Sequence, residues 1–225
     1  MPPSDAVPAV VLFDLDGTLV DTNYLHVQAW QGAFRAAGHD VPTAWIHARI
    51  GMAGDLLLEE LLGAGDHTPV QDGWRDRFRA TRDEARPLPG ATDLLRAVAE
   101  RAARVVIASS SEEADADALV ALLDADDVIH AVTSAGDVEE AKPSPEVFEV
   151  ALRAASGTAS RAIAVGDSVW DVESARRAGL DCIGLSTGGT AACALREAGA
   201  VETHPGPPEL REQLHRGVLG RLLGD

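Results

Sequence analysis

Five short stretches of this 225-residue chain are apolar almost without interruption. They are AVVLFDL at 9–15, RVVIASS at 104–110, DVIHAVTSA at 127–135, AIAVGDS at 162–168 and CIGLSTG at 182–188. A shorter run, AVETHP, follows at 200–205. Strict alternation would mark strands with one wet face, whereas continuous apolarity marks strands covered on both faces. Between the later runs the periodicity is helical: DLLRAVAERA at 93–102 with Thr92 as the expected N-cap, SPEVFEVALRAA at 144–155, and DVESARRAG at 171–179 closed by Gly179. Strands that alternate with helices predict an α/β fold, a doubly wound parallel sheet of the Rossmann-like kind.

Residues 21–88 break the alternation. Val27, Trp30, Phe34 and Ala37 fall on one helical face that Gly38 ends, and Val70, Trp74, Phe78, Thr81 and Ala85 fall on a second. DLLLEELLG at 55–63 reads as a short apolar helix between them, and no convincing strand is present. Pro87-Leu88-Pro89-Gly90 is a turn and linker signal. The expected organisation is therefore a catalytic core of residues 1–20 and 89–225 with an all-helical cap, 21–88, inserted after the first strand. The helical stripes of Trp and Phe are expected to be core packing.

Composition excludes several functions. Hydrophobic residues make up 46% of the chain, enough for a buried core. The formal net charge of -17 repels a nucleic-acid backbone, so no nucleic-acid partner is expected, and any anionic ligand needs local positive charge from a metal or a placed lysine. Cys182 and Cys193 are too few to be a disulfide framework and read as reduced thiols. No run approaches a membrane span, and MPPSDAVPAV at the start lacks the basic and apolar regions of a signal peptide. A cytoplasmic monomer or small homo-oligomer is the expectation.

The chemistry should lie at the carboxyl ends of the strands, where open parallel sheets bind ligands. Strand one runs into Asp14-Leu15-Asp16-Gly17-Thr18, strand two into Ser109-Ser110-Ser111, and strand four into Gly166-Asp167-Ser168 with Asp171 close behind; Lys142-Pro143 follows the third strand. Carboxylates that converge on one edge repel each other unless a cation sits among them, and oxygen-only ligands suit Mg²⁺. Asp14 and Asp16 sit two residues apart, so both face one way in extended chain. One can attack phosphorus while the other manages the proton of the leaving oxygen. Ser109 can donate its hydroxyl to a phosphoryl oxygen, and Lys142 can pair with the phosphoryl group.

DLDGTLVDT at 14–22, IASSS at 107–111, AKPSPEVF at 141–148 and VGDSVWD at 165–171 stand in the order of the four motifs of the haloacid dehalogenase-like hydrolases, and the chain resembles the branch with a helical cap after the first strand. The resemblance implies Asp14 as nucleophile and metal ligand, and Asp16 as general acid/base with its backbone carbonyl on the metal. It implies Ser109, Ser110 and Lys142 as phosphate-binding residues, and Asp167, with Asp171 as ligand or close support, as Mg²⁺-binding residues. The cap would close on hinges near Val20-Asp21 and Pro87-Gly90. The dehalogenases and phosphonate hydrolases of the superfamily lack an Asp at the position of Asp16, and the cap lacks the lysine that the phosphonate hydrolases use. The implied activity is hydrolysis of a small phosphorylated metabolite, of phosphoglycolate or sugar-phosphate kind. The alternatives are a mutase resembling β-phosphoglucomutase and a catalytically idle binding or regulatory protein. His26 and Arg49 are the candidate cap specificity residues, and His47 and His67 are weaker ones. Against the mutase stand Gly54, where the mutases carry an arginine, and Gly166, where they carry an acidic residue.

Overall fold

A computed structural model describes residues 7–101 and 103–224. Strand β1 (Val10–Phe13) gives way to a loop, and β2 (Val20–Asp21) leads into four helices: α1 (Asn23–Ala36), α2 (Thr43–His47), α3 (Gly54–Leu62) and α4 (Thr68–Thr81). The chain returns through β3 (Arg86–Pro87). Helix and strand then alternate: α5 (Ala91–Glu100), β4 (Arg104–Ala108), α6 (Glu113–Ala121), β5 (Ile129–Thr133), α7 (Glu146–Ala154), β6 (Ala162–Gly166), α8 (Val169–Arg177), β7 (Asp181–Leu185), α9 (Ala192–Ala198) and β8 (Glu202–His204). Two short helices, α10 (Pro207–Glu212) and α11 (Gly217–Leu223), follow.

The main sheet has six strands in the order β5-β4-β1-β6-β7-β8, every pair parallel. Alternate residues of each strand feed opposite faces. Val11, Phe13, Val105, Ile107 and Val165 join one apolar cluster, and Val10, Leu12, Val106, Ala108 and Ala164 join the other. Burial on both sides is why these strands read as unbroken apolar runs. Strand β5 departs from that expectation. It lies at the sheet edge and its exposure alternates, with His130 and Val132 exposed, because an edge strand has only one neighbour to cover it.

The order reverses at β1: the chain pairs it with β4 on one side and with β6 on the other. Phe13 is level with Ile107 of β4 and with Val165 of β6. The residues just beyond these three therefore emerge side by side at the carboxyl edge, which is where a doubly wound sheet forms its crevice.

The four helices between β2 and β3 form the cap. Val27, Trp30, Phe34, Ile46, Leu57 and Val70 make a separate apolar cluster. Trp30 of α1 and Trp74 of α4 lie 4.7 Å apart with planes 8° from parallel. Full burial of one such apolar side chain contributes roughly 1.5–3 kcal/mol, enough for this seam to hold α1 against α4. Phe78, on the same stripe, and Ala85, which the sequence placed on that helical face but which lies beyond the end of α4, belong instead to a cluster on one face of the sheet. The stripe thus packs the cap and also ties it to the core.

Two sequence expectations need correction. The stretch 21–88 includes strand residues at its ends, because β2 and β3 pair antiparallel, Val20 with Pro87 and Asp21 with Arg86, in a ribbon at the cap's two stems. Thr92 does not cap α5. The helix starts at Ala91 with Gly90 before it at φ 75°, and the Thr92 hydroxyl donates to the Leu123 carbonyl at 2.7 Å. Glycine wins here because the chain must enter the helix in the left-handed region.

Candidate active site

Asp14 follows β1 directly, and its N–H donates to Val165 O at 2.9 Å, so the neighbouring strand fixes its backbone. Its side chain is buried. The loop then turns tightly: Gly17 has φ 80°, its N–H donates to Val20 O at 2.7 Å, and a Cβ there would lie 2.5 Å from Asn23 Nδ2. Only glycine admits both the turn and that approach.

Asp167 follows β6, and Asp171 lies in the first turn of α8. Ser168 caps that helix, accepting from Asp171 N–H at 3.2 Å while donating its hydroxyl to Asp171 Oδ2 at 2.6 Å. The capping box fixes the Asp171 carboxylate toward the site. Gly166 makes room for it: a Cβ at 166 would stand 2.4 Å from Asp171 Cβ. A side chain at 166 and the present placement of Asp171 are mutually exclusive.

Asp14, Asp167 and Asp171 are all buried and offer oxygens within 4.8 Å of one another. Lys142 reaches them from the loop before α7. It is 1% exposed, contacts Asp14 Oδ1 through a short charged hydrogen bond, and lies 2.7 Å from Asp171 Oδ1. Burial pushes the Asp14 carboxyl up to about 7, with the Asp171 charge adding and Lys142 opposing. Burial and the charges of Asp171 and Asp14 also hold Asp167 well above the usual carboxylate range, against hydrogen bonds from Asn23 and Thr18. Burial alone would depress Lys142, but Asp14 and Asp171 outweigh it and keep it charged. One ammonium among three buried carboxylates leaves the cluster short of positive charge. A hard divalent cation fits that donor set, since Mg²⁺ takes carboxylate oxygens and retains water for the remaining positions.

Asp16 sits in a different environment from Asp14. It accepts from Thr22 Oγ1 at 2.6 Å and Ser111 Oγ at 2.8 Å, and His26 Nε2 lies 3.2 Å away. Burial pushes its carboxyl up, but the bonds and charge of His26 and the two hydroxyls prevail and bring it down to about 2. The two carboxyls of one motif are thus driven in opposite directions, the pattern by which sites divide acid/base and nucleophilic roles.

A cavity of about 240 Å³ opens above these groups, lined by Asp14, Asp16, Lys142 and Asp167 at its floor. Ser110 and Ser111 line it, whereas Ser109 is 1% exposed and its Oγ accepts from Ser111 N–H at 3.0 Å. The buried Ser110 Oγ has no protein partner. The cap forms the roof. Ala53 N–H donates to Lys142 O at 2.9 Å, and a Cβ on Gly51 would meet Ser168 Oγ at 2.7 Å, so the 50–54 segment rests on the core. On one side Arg75, Arg79 and Arg82 of the cap face Glu112 and Asp115 at the start of α6, with Arg75 Nε 2.8 Å from Glu112 and Arg82 Nη1 2.5 Å from Asp115.

The cap candidates separate. His26 lines the cavity, stacking on Phe78 at 3.9 Å while touching Asp16. Arg49 also lines it, but its guanidinium is engaged within the cap, by Glu60 at 2.8 Å and Trp45 O at 3.0 Å. His47 lies 2.9 Å from Gly188 O and stacks on Tyr24, joining cap to core. His67 is half-buried, with Nε2 2.7 Å from Gly63 O, and lies outside the cavity lining.

Sequence reasoning missed four residues: Thr18, Asn23, Ser111 and Gly188. Thr18 and Asn23 donate to the two oxygens of Asp167 at 3.1 and 2.8 Å. Gly188, after β7, would place a Cβ 1.6 Å from Asp167 Oδ2. The available signals were slight: a polar residue at the helix entry, and a glycine pair in STGG after an apolar run.

Carboxylates from two strand ends, a buried lysine and a serine loop under a helical lid define a hydrolase of the phosphatase class. Residues 8–179 match the family of haloacid dehalogenase-like hydrolases, and the chain belongs to that family. It is 28% identical over 183 residues to validoxylamine A 7'-phosphate phosphatase of Streptomyces hygroscopicus subsp. limoneus, covering 79% of this chain and 85% of that protein. It is 30% identical over 190 residues to the phosphoglycolate phosphatase of Agrobacterium fabrum, covering 80% and 82%. Among solved structures, a hydrolase from Pseudomonas syringae superposes with a TM-score of 0.86 at 29% identity, over 92% of this chain and 97% of the other. Among the described residues no helix is long and apolar enough to cross a membrane.

Proposed function

We propose that this chain is a Mg²⁺-dependent phosphatase that hydrolyses small phosphate monoesters through an aspartyl-phosphate on Asp14. The observation that carries the reading is the juxtaposition of Asp14, Asp167, Asp171 and Lys142 beneath one cavity. An idle binding protein has no need of three carboxylates whose mutual burial opposes their charge.

Asp14, Asp167 and Asp171 would hold the ion. Bound there, Mg²⁺ supplies the positive charge that keeps Asp14 ionised and offsets charge on the phosphoryl oxygens. An oxygen of Asp14 attacks phosphorus and the ester P–O bond breaks, with Asp16 giving its proton to the departing oxygen. Water then attacks phosphorus, Asp16 takes the water's proton, and phosphate leaves a restored Asp14. Lys142 and the Ser110 hydroxyl, which has no protein partner, meet the phosphoryl oxygens. Thr22, Ser111 and His26 hold Asp16 in its base form, the form the second step needs. The first step needs the acid form, so Asp16 must loosen from these donors when substrate enters. The cap would admit substrate by turning on the β2–β3 stems.

Two observations favour hydrolysis over phosphoryl shuttling between two positions of a sugar. A Cβ on Gly54 would contact the Trp30 ring at 3.3 Å, and among the described residues the two cap arginines that line the cavity, Arg49 and Arg75, both carry carboxylate partners, so neither stands free for a distal phosphate. A site without that clamp loses a strong charge-assisted contact. The test is hydrolysis of 4-nitrophenyl phosphate by the purified chain. Activity should vanish in EDTA and return with Mg²⁺, and full activity after verified metal removal contradicts the proposal.

A further inference from the structure

The catalytic floor says what bond is broken, and the roof of the same cavity bears on what leaves. That roof is mainly apolar and aromatic: Trp30, Trp74 and Phe78 with Ile50, Met52 and Leu57. Trp30 and Trp74 stack on each other there, with Trp30 only 3% exposed, so the roof is firmly packed.

The charged groups in the lining are arranged against a second anion. Its lysine and arginines are Lys142, Arg49 and Arg75. Lys142 is engaged by Asp14 and Asp171 at the floor. Arg49 is matched by Glu60, and Arg75 by Glu112 through Nε at 2.8 Å and by Asp72 through Nη1 at 2.9 Å. The lining also carries Asp55 and Asp115. Asp115 is matched by Arg82 and Arg79. The Asp55 side chain is exposed and has no hydrogen bond or ion pair among the described residues. A carboxylate or a second phosphate on the substrate would be desolvated against this roof. It would meet Asp55, and the guanidinium groups in the lining already carry carboxylate partners that offset their charge.

On the phosphatase reading above, we infer that the preferred substrate is a phosphate monoester of an uncharged alcohol with an apolar face, and that the roof selects against esters bearing a second anionic group. An uncharged group can pack against the apolar side chains of this roof without losing a polar partner. Asp55 is a specificity residue in this account: it touches neither the phosphate nor the metal cluster, and it sets the sign of the roof.

Two aryl esters of the same shape test this at one ionic strength with saturating Mg²⁺: 4-carbamoylphenyl phosphate, uncharged beyond its phosphate, and 4-carboxyphenyl phosphate. The kcat/KM of the amide should exceed that of the acid by about tenfold or more, the scale set by leaving a buried charge unmatched. Asp55→Lys should narrow the ratio by about threefold or more. A ratio at or below one overturns the inference, and so does a ratio that Asp55→Lys leaves unchanged. If the folded, Mg²⁺-loaded protein cleaves neither ester nor 4-nitrophenyl phosphate, the phosphatase reading itself fails. Cleavage of both aryl esters at equal rates defeats only the inference about the roof.

Discussion

Gly188→Ala is the most demanding test of how closely this site is built. The new Cβ would fall 1.6 Å from Asp167 Oδ2 and 2.2 Å from Asn23 Nδ2. Side-chain carbons essentially never approach within 3.0 Å, so the carboxylate oxygen must retreat by about 1.4 Å even to reach that limit. Asp167 has little freedom to do so, since Thr18 and Asn23 hold its two oxygens. A displacement of about 1 Å in a positioned group costs on the order of 10²-fold in rate. We therefore expect kcat/KM for 4-nitrophenyl phosphate to fall by about 10²-fold or more, and half-saturation by Mg²⁺ to move to higher concentration. Overpacking at one buried position should cost about 1–3 kcal/mol, a Tm loss of several degrees in a chain of this size. Gly136→Ala is the control, because a Cβ there meets nothing closer than Ser134 Oγ at 3.8 Å; it should leave rate and Mg²⁺ dependence unchanged. A folded Gly188→Ala protein with the native rate and Mg²⁺ dependence would refute the argument that the turn after β7 shapes the metal cluster.

Two further outcomes are expected. Gly166→Glu should abolish activity by colliding with Asp171, and Asp171→Gly added to it should recover part of the loss; a double variant no better than the single one would show that steric exclusion is not the cause. The Tm gain produced by Mg²⁺ should be larger at pH 8 than at pH 6. The folded Asp14 carboxyl lies at about 7 against an ordinary 3.8, so in the metal-free protein its stabilising contribution is complete below about pH 4 and is lost as the pH rises through 7, whereas the ion binds the ionised form. A gain that shrinks between pH 6 and pH 8 would contradict that sign.

The parts of this molecule that follow from local pattern were legible in the sequence. Strands covered on both faces must be apolar throughout, so β1, β4, β6 and β7 announced themselves, and the polar residues at their ends marked the edge where Asp14, Lys142, Asp167 and Asp171 meet. The aromatic stripes marked α1 and α4 for the same reason. Long-range approach left weaker traces. The role of Gly188 depends on a side chain 21 positions away in sequence, and Asn23 serves Asp167 from 144 positions away. No periodicity encodes such distances. The run of three serines concealed a division of labour, because Ser111 reaches Asp16 while Ser109 turns its oxygen to the backbone. The β2–β3 ribbon was missed because two residues per strand carry no alternation, and Thr92 was mistaken for a cap because a threonine before an apolar periodic run satisfies the usual rule. The pairing of Arg75, Arg79 and Arg82 with Glu112 and Asp115 of the core carries no local signal either.

The central claim is that Asp14 itself attacks phosphorus. The most direct measurement is the turnover of Asp14→Asn with saturating Mg²⁺, its fold checked by circular dichroism and position 14 confirmed as Asn by mass spectrometry. The asparagine keeps the shape and removes the nucleophilic oxygen charge, so kcat should fall by on the order of 10³-fold or more while the native spectrum is retained. A folded, undeamidated Asp14→Asn protein that turns over 4-nitrophenyl phosphate at close to the native rate would contradict it.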